Sequence, residues 1–257
     1  MPVRVFTPAT STGCLVWAHG GSWVSGSVEE WHLPCADLAA LSGWTIVSVE
    51  YRLAPAHRHP AALQDILTAL TWAGERLTGE GCELPLAVGG DSAGGTLAAS
   101  AALARRDSGL RLNAQVLAYP PLDPACESSS YHRDPSAFPS RDRLLAAWRE
   151  LAGMSDPSHS TARGYLTPWE VEDLAGLAPA ILAVGSKDPV RDDVYRYADC
   201  LTEAGVPVSL RTFQGQGHGL FVTPHTGADR PKAFHRWIAA EIAASAEVPP
   251  IPEGEPR

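Results

Sequence analysis

Short apolar runs alternate with longer amphipathic stretches along this chain of 257 residues. Each run has the roughly four to eight residues typical of a buried strand. Between the runs, most clearly from Ala61 onwards, leucine and isoleucine recur on a single helical stripe. Strands that alternate with helices predict an α/β fold, in which helices cover both faces of a mostly parallel sheet. The predicted strands are residues 3–6, 14–18, 44–51, 84–88, 114–119, 180–184 and 208–213.

The alternation of strands and helices is interrupted once, by residues 122–178. This segment is rich in proline, serine, aspartate and arginine and contains one well-patterned helix, residues 141–151. A long excursion from a compact sheet is commonly a lid or a binding loop. We therefore predict one core, formed by 1–121 and 179–247, with 122–178 as an inserted lid that selects the substrate. The proline-rich tail, 248–257, is predicted to be flexible.

Composition and charge exclude several classes of function. A hydrophobic fraction of 45% and a charged fraction of 19% are typical of a globular protein, and the net charge of -9 offers no basic surface to nucleic acid. The first residues lack the apolar core of a signal peptide, and no run approaches the roughly 20 apolar residues that cross a bilayer. We expect a cytoplasmic protein without a membrane span. The cysteines are scattered without a C-x-x-C pair, which argues against disulfides and a zinc site.

The most informative stretch runs from residue 84 to residue 95. There an apolar run of strand length meets Gly90-Asp91-Ser92-Ala93-Gly94, and an alanine- and leucine-rich helix follows over residues 96–104. The pattern G-x-S-x-G between a strand and a helix is typical of a nucleophile elbow, a strained turn that lifts the serine oxygen clear of the sheet. Ser92 is therefore the candidate nucleophile, and the N-terminus of the following helix favours negative charge beside it.

A serine hydroxyl needs a histidine as base and an acid that orients the imidazole. Of nine histidines, only His218 stands among glycines just after a predicted strand, so it is the candidate base. Asp188 leaves the preceding predicted strand and is the candidate acid. Asp192 and Asp193 compete for this role, but they follow Pro189 into a predicted helix, where first-turn carboxylates stabilise the positive helix end. The order serine, acid, histidine is that of α/β-hydrolases.

A tetrahedral intermediate also needs backbone N–H donors. Ala93, the residue after the nucleophile, provides one of them. The turn His19-Gly20-Gly21-Ser22-Trp23 follows the second predicted strand and is placed to provide the others, as the HGGG motif of lipases and esterases does. We interpret His19 as an organiser of this loop rather than as a catalytic group.

Together these motifs resemble those of the hormone-sensitive-lipase-like esterases of the α/β-hydrolase fold. The resemblance extends from about residue 3 to residue 243 and follows the family's motif order. Its motifs are His19-Gly20-Gly21-Ser22-Trp23, Tyr51-Arg52-Leu53-Ala54-Pro55, Gly90-Asp91-Ser92-Ala93-Gly94-Gly95, Asp188-Pro189-Val190-Arg191-Asp192 and Gly217-His218-Gly219. The resemblance implies a triad of Ser92, Asp188 and His218, backbone donors from Gly21, Ser22 and Ala93, and supporting roles for His19, Gly20 and Asp91.

The sequence departs from the family pattern in two places. Ser22 stands where the third glycine of the HGGG motif is expected; serine keeps the N–H group but is costly where the backbone needs a positive φ. The family also carries some tens of residues ahead of the first strand that build part of a cap, whereas here the first predicted strand begins almost at once. We therefore expect the N-terminal cap to be largely absent and the site to be open.

The predicted activity is hydrolysis of small-molecule carboxylic esters through an acyl-enzyme, without a cofactor or a metal. An amidase or formamidase with the same triad is an alternative. A non-catalytic ligand receptor is another, but receptors that resemble this family lose the catalytic histidine, whereas His218 is present. A homodimer is an open alternative to a monomer. Six aromatic residues could line the pocket or belong to the core: Trp23, Trp31, Tyr119, Phe138, Trp148 and Trp169.

Overall fold

The computed structural model describes residues 1–77, 84–153, 164–222 and 230–245. The strands are β1 (Val3–Phe6), β2 (Cys14–Ala18), β3 (Thr45–Val49), β4 (Leu86–Asp91), β5 (Ala114–Ala118), β6 (Ala180–Gly185) and β7 (Val208–Phe213). The helices are α1 (His32–Ser42), α2 (Ala61–Leu77), α3 (Ala93–Asp107), α4 (Ser130–Arg133), α5 (Arg141–Ala152), α6 (Arg191–Glu203) and α7 (Arg230–Ser245), with a 3-10 turn at Pro168–Glu170. The predicted α/β fold is confirmed.

The seven strands form one sheet in the order β1-β3-β2-β4-β5-β6-β7. Strand β1 runs antiparallel to β3, and every other neighbouring pair is parallel. Strand β4 lies at the centre, with Gly90 paired to Ala18 of β2 and Asp91 paired to Ala118 of β5. Because the carboxyl ends of parallel strands share one edge of a sheet, the residues that follow β2, β4, β6 and β7 meet at that edge.

Both faces of the central sheet are covered. Every residue of β2, β4, β5 and β6 is buried, although successive side chains of a strand point to opposite faces. This explains why the central strands are almost entirely apolar in the sequence, with Gln115 in β5 and Asp91 at the end of β4 as the exceptions. The edge strands β1 and β7 are only partly buried.

Helix α3 is the most closely packed element against the sheet. Every residue from Ala93 to Arg105 is buried, and the helix contacts β2, β4 and β5. Its alanine and glycine residues allow this close approach because they have little or no side chain. Helix α2 packs against α3, and helix α1 packs against α7. The apolar stripe predicted for α2 faces the core, since Leu63, Ile66 and Leu70 are buried.

Two boundaries differ from the sequence prediction around the central turn. Strand β4 begins at Leu86, two residues later than the apolar run indicated, and continues through two glycines to Asp91. Helix α3 begins at Ala93 rather than at residue 96. The glycines therefore belong to the strand and to the helix, and the turn between them is the single residue Ser92.

The segment 122–178 contains α4, α5 and the 3-10 turn. Trp148 of α5 is fully buried against Trp23 of the loop after β2, with ring centroids 4.3 Å apart, so α5 packs on the core. A lid function for this segment stays a prediction, and the predicted flexible tail, 248–257, lies outside the described residues. In the portion of the chain that the structure describes, no helix combines the length and the apolar character needed to span a bilayer.

Candidate active site

Ser92 forms the whole turn between β4 and α3. Its φ of 51° is one that residues other than glycine rarely adopt, so the backbone is strained at the serine itself. The surroundings enforce this turn: a Cβ atom on Gly90 would overlap the backbone of Gly94, and one on Gly94 would overlap the backbone of Ala18. The Ser92 N–H donates to the Ala118 carbonyl at 2.8 Å, which ties the turn to β5. These are the features of a nucleophile elbow.

His218 and Asp188 meet Ser92 at the carboxyl edge of the sheet. His218 Nε2 lies 2.8 Å from Ser92 Oγ, and His218 Nδ1 lies 3.0 and 2.9 Å from the two carboxylate oxygens of Asp188. An ionised carboxylate only accepts hydrogen bonds, so Nδ1 carries a proton and the neutral imidazole presents its Nε2 lone pair to the serine. The Ser92 hydroxyl then donates to Nε2, which is the arrangement that a general base requires.

The loops after β6 and β7 fix the acid and the histidine relative to each other. The Lys187 N–H donates to the Gln216 carbonyl at 2.8 Å and so joins the two loops. Asp188 is 2% exposed, and the Val190 N–H donates to its Oδ1 at 3.0 Å. The carboxylate is therefore held in one orientation against Nδ1 of His218.

The loop after β2, residues 19–23, is called the glycine loop below. Three successive residues have positive φ: Gly21 at 114°, Ser22 at 55° and Trp23 at 62°. The Gly21 carbonyl accepts hydrogen bonds from the N–H and the hydroxyl of Ser25, at 3.0 and 2.9 Å. Because the C=O and N–H of a trans peptide point in opposite directions, the Ser22 N–H points away from Ser25. Within the described ranges, the N–H groups of Gly21, Ser22 and Ala93 donate no hydrogen bond.

Ser22 does occupy a position of positive φ, where a side chain costs on the order of 1 kcal/mol. The neighbouring Trp23 compensates for the strained turn, because it is fully buried and its Nε1–H donates to the Ala93 carbonyl at 3.0 Å. The glycine loop also lies next to the nucleophile: a Cβ atom built on Gly20 would stand 3.3 Å from Ser92 Cβ. Unpaired N–H groups beside a serine can bind the oxyanion of an acyl-transfer intermediate.

Comparison with known proteins agrees with this geometry. A family model described as alpha/beta hydrolase fold matches residues 15–222. The chain is 35% identical to the carboxylic ester hydrolase LipN of Mycobacterium tuberculosis over 249 residues, and 38% identical to the carboxylesterase NlhH of the same species over 229 residues. The chain belongs to the hormone-sensitive-lipase-like family of α/β-hydrolases. The two alignments cover 93% and 85% of this chain, but only 66% and 70% of the relatives. The chain therefore spans about two thirds of the length of these relatives.

Solved structures agree with this family assignment. A bacterial heroin esterase has a TM-score of 0.87 and 32% sequence identity, with 96% of this chain and 80% of that chain covered. The esterase of Pyrobaculum calidifontis has a TM-score of 0.86 at 32% identity, with 96% and 82% covered.

Asp91 has more contacts than its place in the motif suggested. Its buried side chain accepts hydrogen bonds at Oδ1 from Trp31 Nε1–H at 2.7 Å, from the Gly20 N–H at 3.2 Å and from Trp17 Nε1–H at 3.3 Å. The Tyr119 hydroxyl lies 3.4 Å from Oδ2. Burial raises the pKa of Asp91 to about 6, although these donors act in the opposite direction. The side chain joins the elbow of the hydrolase to the glycine loop.

His19, the first residue of the glycine loop, holds the loop in place. It is buried and stacks on Tyr51, with ring centroids 4.2 Å apart. Its Nδ1–H donates to the Gly20 carbonyl at 2.7 Å, and the Tyr51 hydroxyl donates to the His19 carbonyl at 2.8 Å. Burial lowers the pKa of His19, which favours the neutral ring. The contacts of His19 fit an organiser of the loop.

The six aromatic residues named from the sequence divide into two groups. The fully or partly buried ones are Trp23, Trp31, Tyr119, Trp148 and Trp169. Phe138 alone among them is exposed, and its ring centroid lies 6.3 Å from that of His218. Phe138 is therefore the member of the set that can contact a substrate from the solvent side of the site.

Asp192 and Asp193 lie in the first turn of α6, as the sequence predicted. The expectation that Asp193 only stabilises the helix end was too narrow. Its buried carboxylate accepts hydrogen bonds from the Leu122 N–H at 2.9 Å and from the Tyr131 hydroxyl at 2.6 Å. Asp193 therefore anchors the beginning of the segment 122–178 to the core.

The remaining reactive side chains form no second site in the described part of the hydrolase. Residues of the four described ranges include no group of three or more His, Cys, Asp or Glu side chains that could hold a metal. Cys14, Cys35, Cys126 and Cys200 are free thiols, and the first three are buried. Cys82 lies outside the described residues.

Proposed function

We propose that this hydrolase cleaves carboxylic esters of small molecules through an acyl-enzyme formed on Ser92. The observation that supports the proposal most strongly is the continuous hydrogen-bonded chain from Asp188 through His218 to Ser92 Oγ. The glycine loop lies beside that chain, and its Gly21 and Ser22 N–H groups have no acceptor among the described residues. The names of the relatives, a carboxylic ester hydrolase, a carboxylesterase and a heroin esterase, agree with ester hydrolysis.

The first half of the proposed cycle forms the acyl-enzyme. Ser92 Oγ attacks the carbonyl carbon of the ester while its proton passes to His218 Nε2. The carbonyl π electrons move to oxygen, and this oxyanion accepts hydrogen bonds from the N–H groups of Gly21, Ser22 and Ala93. The bond between the carbonyl carbon and the alcohol oxygen then breaks. The alcohol takes the proton from Nε2 and leaves.

The second half of the cycle releases the acid. Water attacks the acyl carbon and gives a proton to His218 Nε2, and Ser92 Oγ leaves the new tetrahedral carbon with that proton. Asp188 accepts the Nδ1–H bond throughout, so it keeps the imidazole in one tautomer and stabilises the imidazolium. The cycle needs neither a cofactor nor a metal. A cytoplasmic location and a homodimer stay predictions from the sequence.

The test is hydrolysis of a panel of aryl esters and matching anilides by the native enzyme and by Ser92→Ala. We expect the native enzyme to hydrolyse the esters, and Ser92→Ala to have a kcat about 10⁶-fold lower. Ser108→Ala, at the far end of α3, is the matched control and keeps full activity. Normal ester turnover by Ser92→Ala would refute the proposal, and cleavage of anilides in preference to esters would favour the amidase alternative.

A further inference from the structure

The alcohol part of the ester must pass beside the imidazole of His218. In the proposed cycle Nε2 gives its proton to the leaving oxygen, so this oxygen approaches Nε2 to about 2.6–3.2 Å. On one side of the imidazole stands Tyr119, which is fully buried, with ring centroids 4.8 Å apart. On another side stands Phe138, with ring centroids 6.3 Å apart. Of these two rings only that of Phe138 is exposed, so its side of the imidazole faces solvent and can admit the alcohol.

Phe138 offers an aromatic surface to this approach. It is 62% exposed, whereas the side chain of His218 beside it is 4% exposed. The chain on either side of the ring is held in place, because the Ala137 N–H donates to the Asp134 carbonyl at 3.0 Å and Pro139 is buried. An exposed ring on a fixed turn near the reacting atoms provides a partner for a second aromatic ring.

Arg143 adds a positive charge to the same surface. Its guanidinium carbon lies 5.4 Å from the centroid of the Phe138 ring. Where the structure describes the chain, the guanidinium forms no ion pair and no hydrogen bond. Arg141, two positions earlier, instead donates to backbone carbonyls of the inserted segment. The adjacent Asp142 points in a different direction because neighbouring helix residues do not face each other. The Arg143 guanidinium can therefore bind an anionic group.

We propose that Phe138 and Arg143 form the subsite for the alcohol part of the ester, and that this subsite selects aryl esters whose ring carries an anionic group such as a carboxylate. The inference rests on the proposed function. The aryl ring of the substrate packs against Phe138 while its carboxylate meets the Arg143 guanidinium. The ester oxygen then faces His218 Nε2, which protonates the departing phenol.

The aromatic contact is tested with phenyl acetate and ethyl acetate in the native enzyme, Phe138→Leu and Phe138→Tyr. Leucine keeps an apolar side chain but removes the ring, whereas tyrosine keeps the ring. We expect Phe138→Leu to lower kcat/KM for phenyl acetate about five-fold and for ethyl acetate less than about two-fold, with Phe138→Tyr close to the native enzyme. Comparing ratios between variants cancels the different intrinsic reactivities of the two esters. Equal losses for both esters would overturn the aromatic contact.

The ionic contact is tested with 4-acetoxybenzoate and its neutral analogue 4-acetoxybenzamide, with release of the acetyl group as the readout. We expect Arg143→Gln to lower kcat/KM for the anionic ester about three- to five-fold and to leave the neutral ester unchanged. The loss should shrink at about 0.5 M salt, because salt screens an exposed ion pair. Arg149→Gln removes the same charge from the last turn of the same helix and is the matched control. A loss that is equal for the two esters would overturn the anionic preference.

These outcomes separate the subsite from the activity itself. If the native enzyme hydrolyses none of the four esters, or if Ser92→Ala hydrolyses them equally well, the proposed function fails and the subsite fails with it. If hydrolysis depends on Ser92 but neither Phe138→Leu nor Arg143→Gln discriminates between the paired esters, the function stands and the subsite is wrong.

Discussion

Replacing Asp91 with asparagine should make the stability of the enzyme depend on pH in a different way. Asparagine has the same shape, and its Oδ1 can accept the hydrogen bonds from Trp31, Trp17 and the Gly20 N–H that Asp91 accepts. Its amide nitrogen would face the Tyr119 hydroxyl, which lies 3.4 Å from Oδ2 in the native protein. The substitution therefore removes the titratable group and keeps the hydrogen bonds at Oδ1, while the Tyr119 hydroxyl changes from donor to acceptor in its contact with this side chain.

The sign and size of the effect follow from the buried position of Asp91. Burial raises the pKa of Asp91 from 3.8 to about 6 in the folded protein. Between these two values the unfolded chain loses the proton while the folded chain keeps it, so the native protein loses stability relative to Asp91→Asn as the pH rises. At about 1.4 kcal/mol per pH unit, the full difference is about 3 kcal/mol. About 2 kcal/mol of it falls between about pH 4.5 and about pH 7.5.

Urea unfolding of both proteins at those two pH values measures this difference. The free energy of unfolding of the native protein, minus that of Asp91→Asn, should be lower at the higher pH by about 2 kcal/mol. All other titrating groups are shared and cancel in the subtraction. A difference that does not change with pH, or that grows as the pH rises, would show that the carboxyl of Asp91 is not held in its protonated form by burial.

The remaining predictions concern the acid, the anchor and metals. Asp188→Asn should lower kcat about 10⁴-fold in steady-state assays because it spoils the tautomer of His218, and a loss below about ten-fold would contradict that role. Asp193→Asn should lower the free energy of unfolding by about 1–3 kcal/mol, because the buried hydrogen bonds of this side chain are disturbed, whereas Asp199→Asn, at an exposed position of the same helix, should leave stability and activity nearly unchanged. Equal effects of the two changes on thermal unfolding would contradict the anchor. Overnight treatment with EDTA should leave ester hydrolysis unchanged; activity lost with EDTA and restored by zinc would contradict a metal-free cycle.

The fold was predictable because burial leaves a direct signal in the chain. Strands covered on both faces are mostly apolar, so β2 and β6 stand out as apolar runs next to glycine or proline, and β5 departs from this pattern only at Gln115. The candidate triad was predictable for a related reason. Ser92, Asp188 and His218 each follow a recognisable strand, and parallel strands bring their carboxyl ends together.

The supporting contacts could not be predicted because they depend on tertiary packing. The hydrogen bonds to Asp91 come from Trp31 and Trp17, which are 60 and 74 positions away along the chain. Asp193 likewise receives a hydrogen bond from Tyr131, which is 62 positions away. A local pattern gives Asp193 only the role of a first-turn carboxylate. The boundary of β4 was misjudged for the same reason, because the glycines that resemble a turn in the sequence pack inside the strand and the helix.

The most direct test of the proposed mechanism is detection of the acyl-enzyme. The enzyme is mixed with excess 4-nitrophenyl acetate, quenched in acid within the first turnovers, digested and analysed by mass spectrometry. The mechanism predicts one added acetyl group on the peptide that contains Ser92, and none in Ser92→Ala. Turnover of the ester without any acetylated Ser92 peptide would contradict the assignment of Ser92 as the nucleophile. Acetylation of a different residue on which turnover depends would contradict it as well.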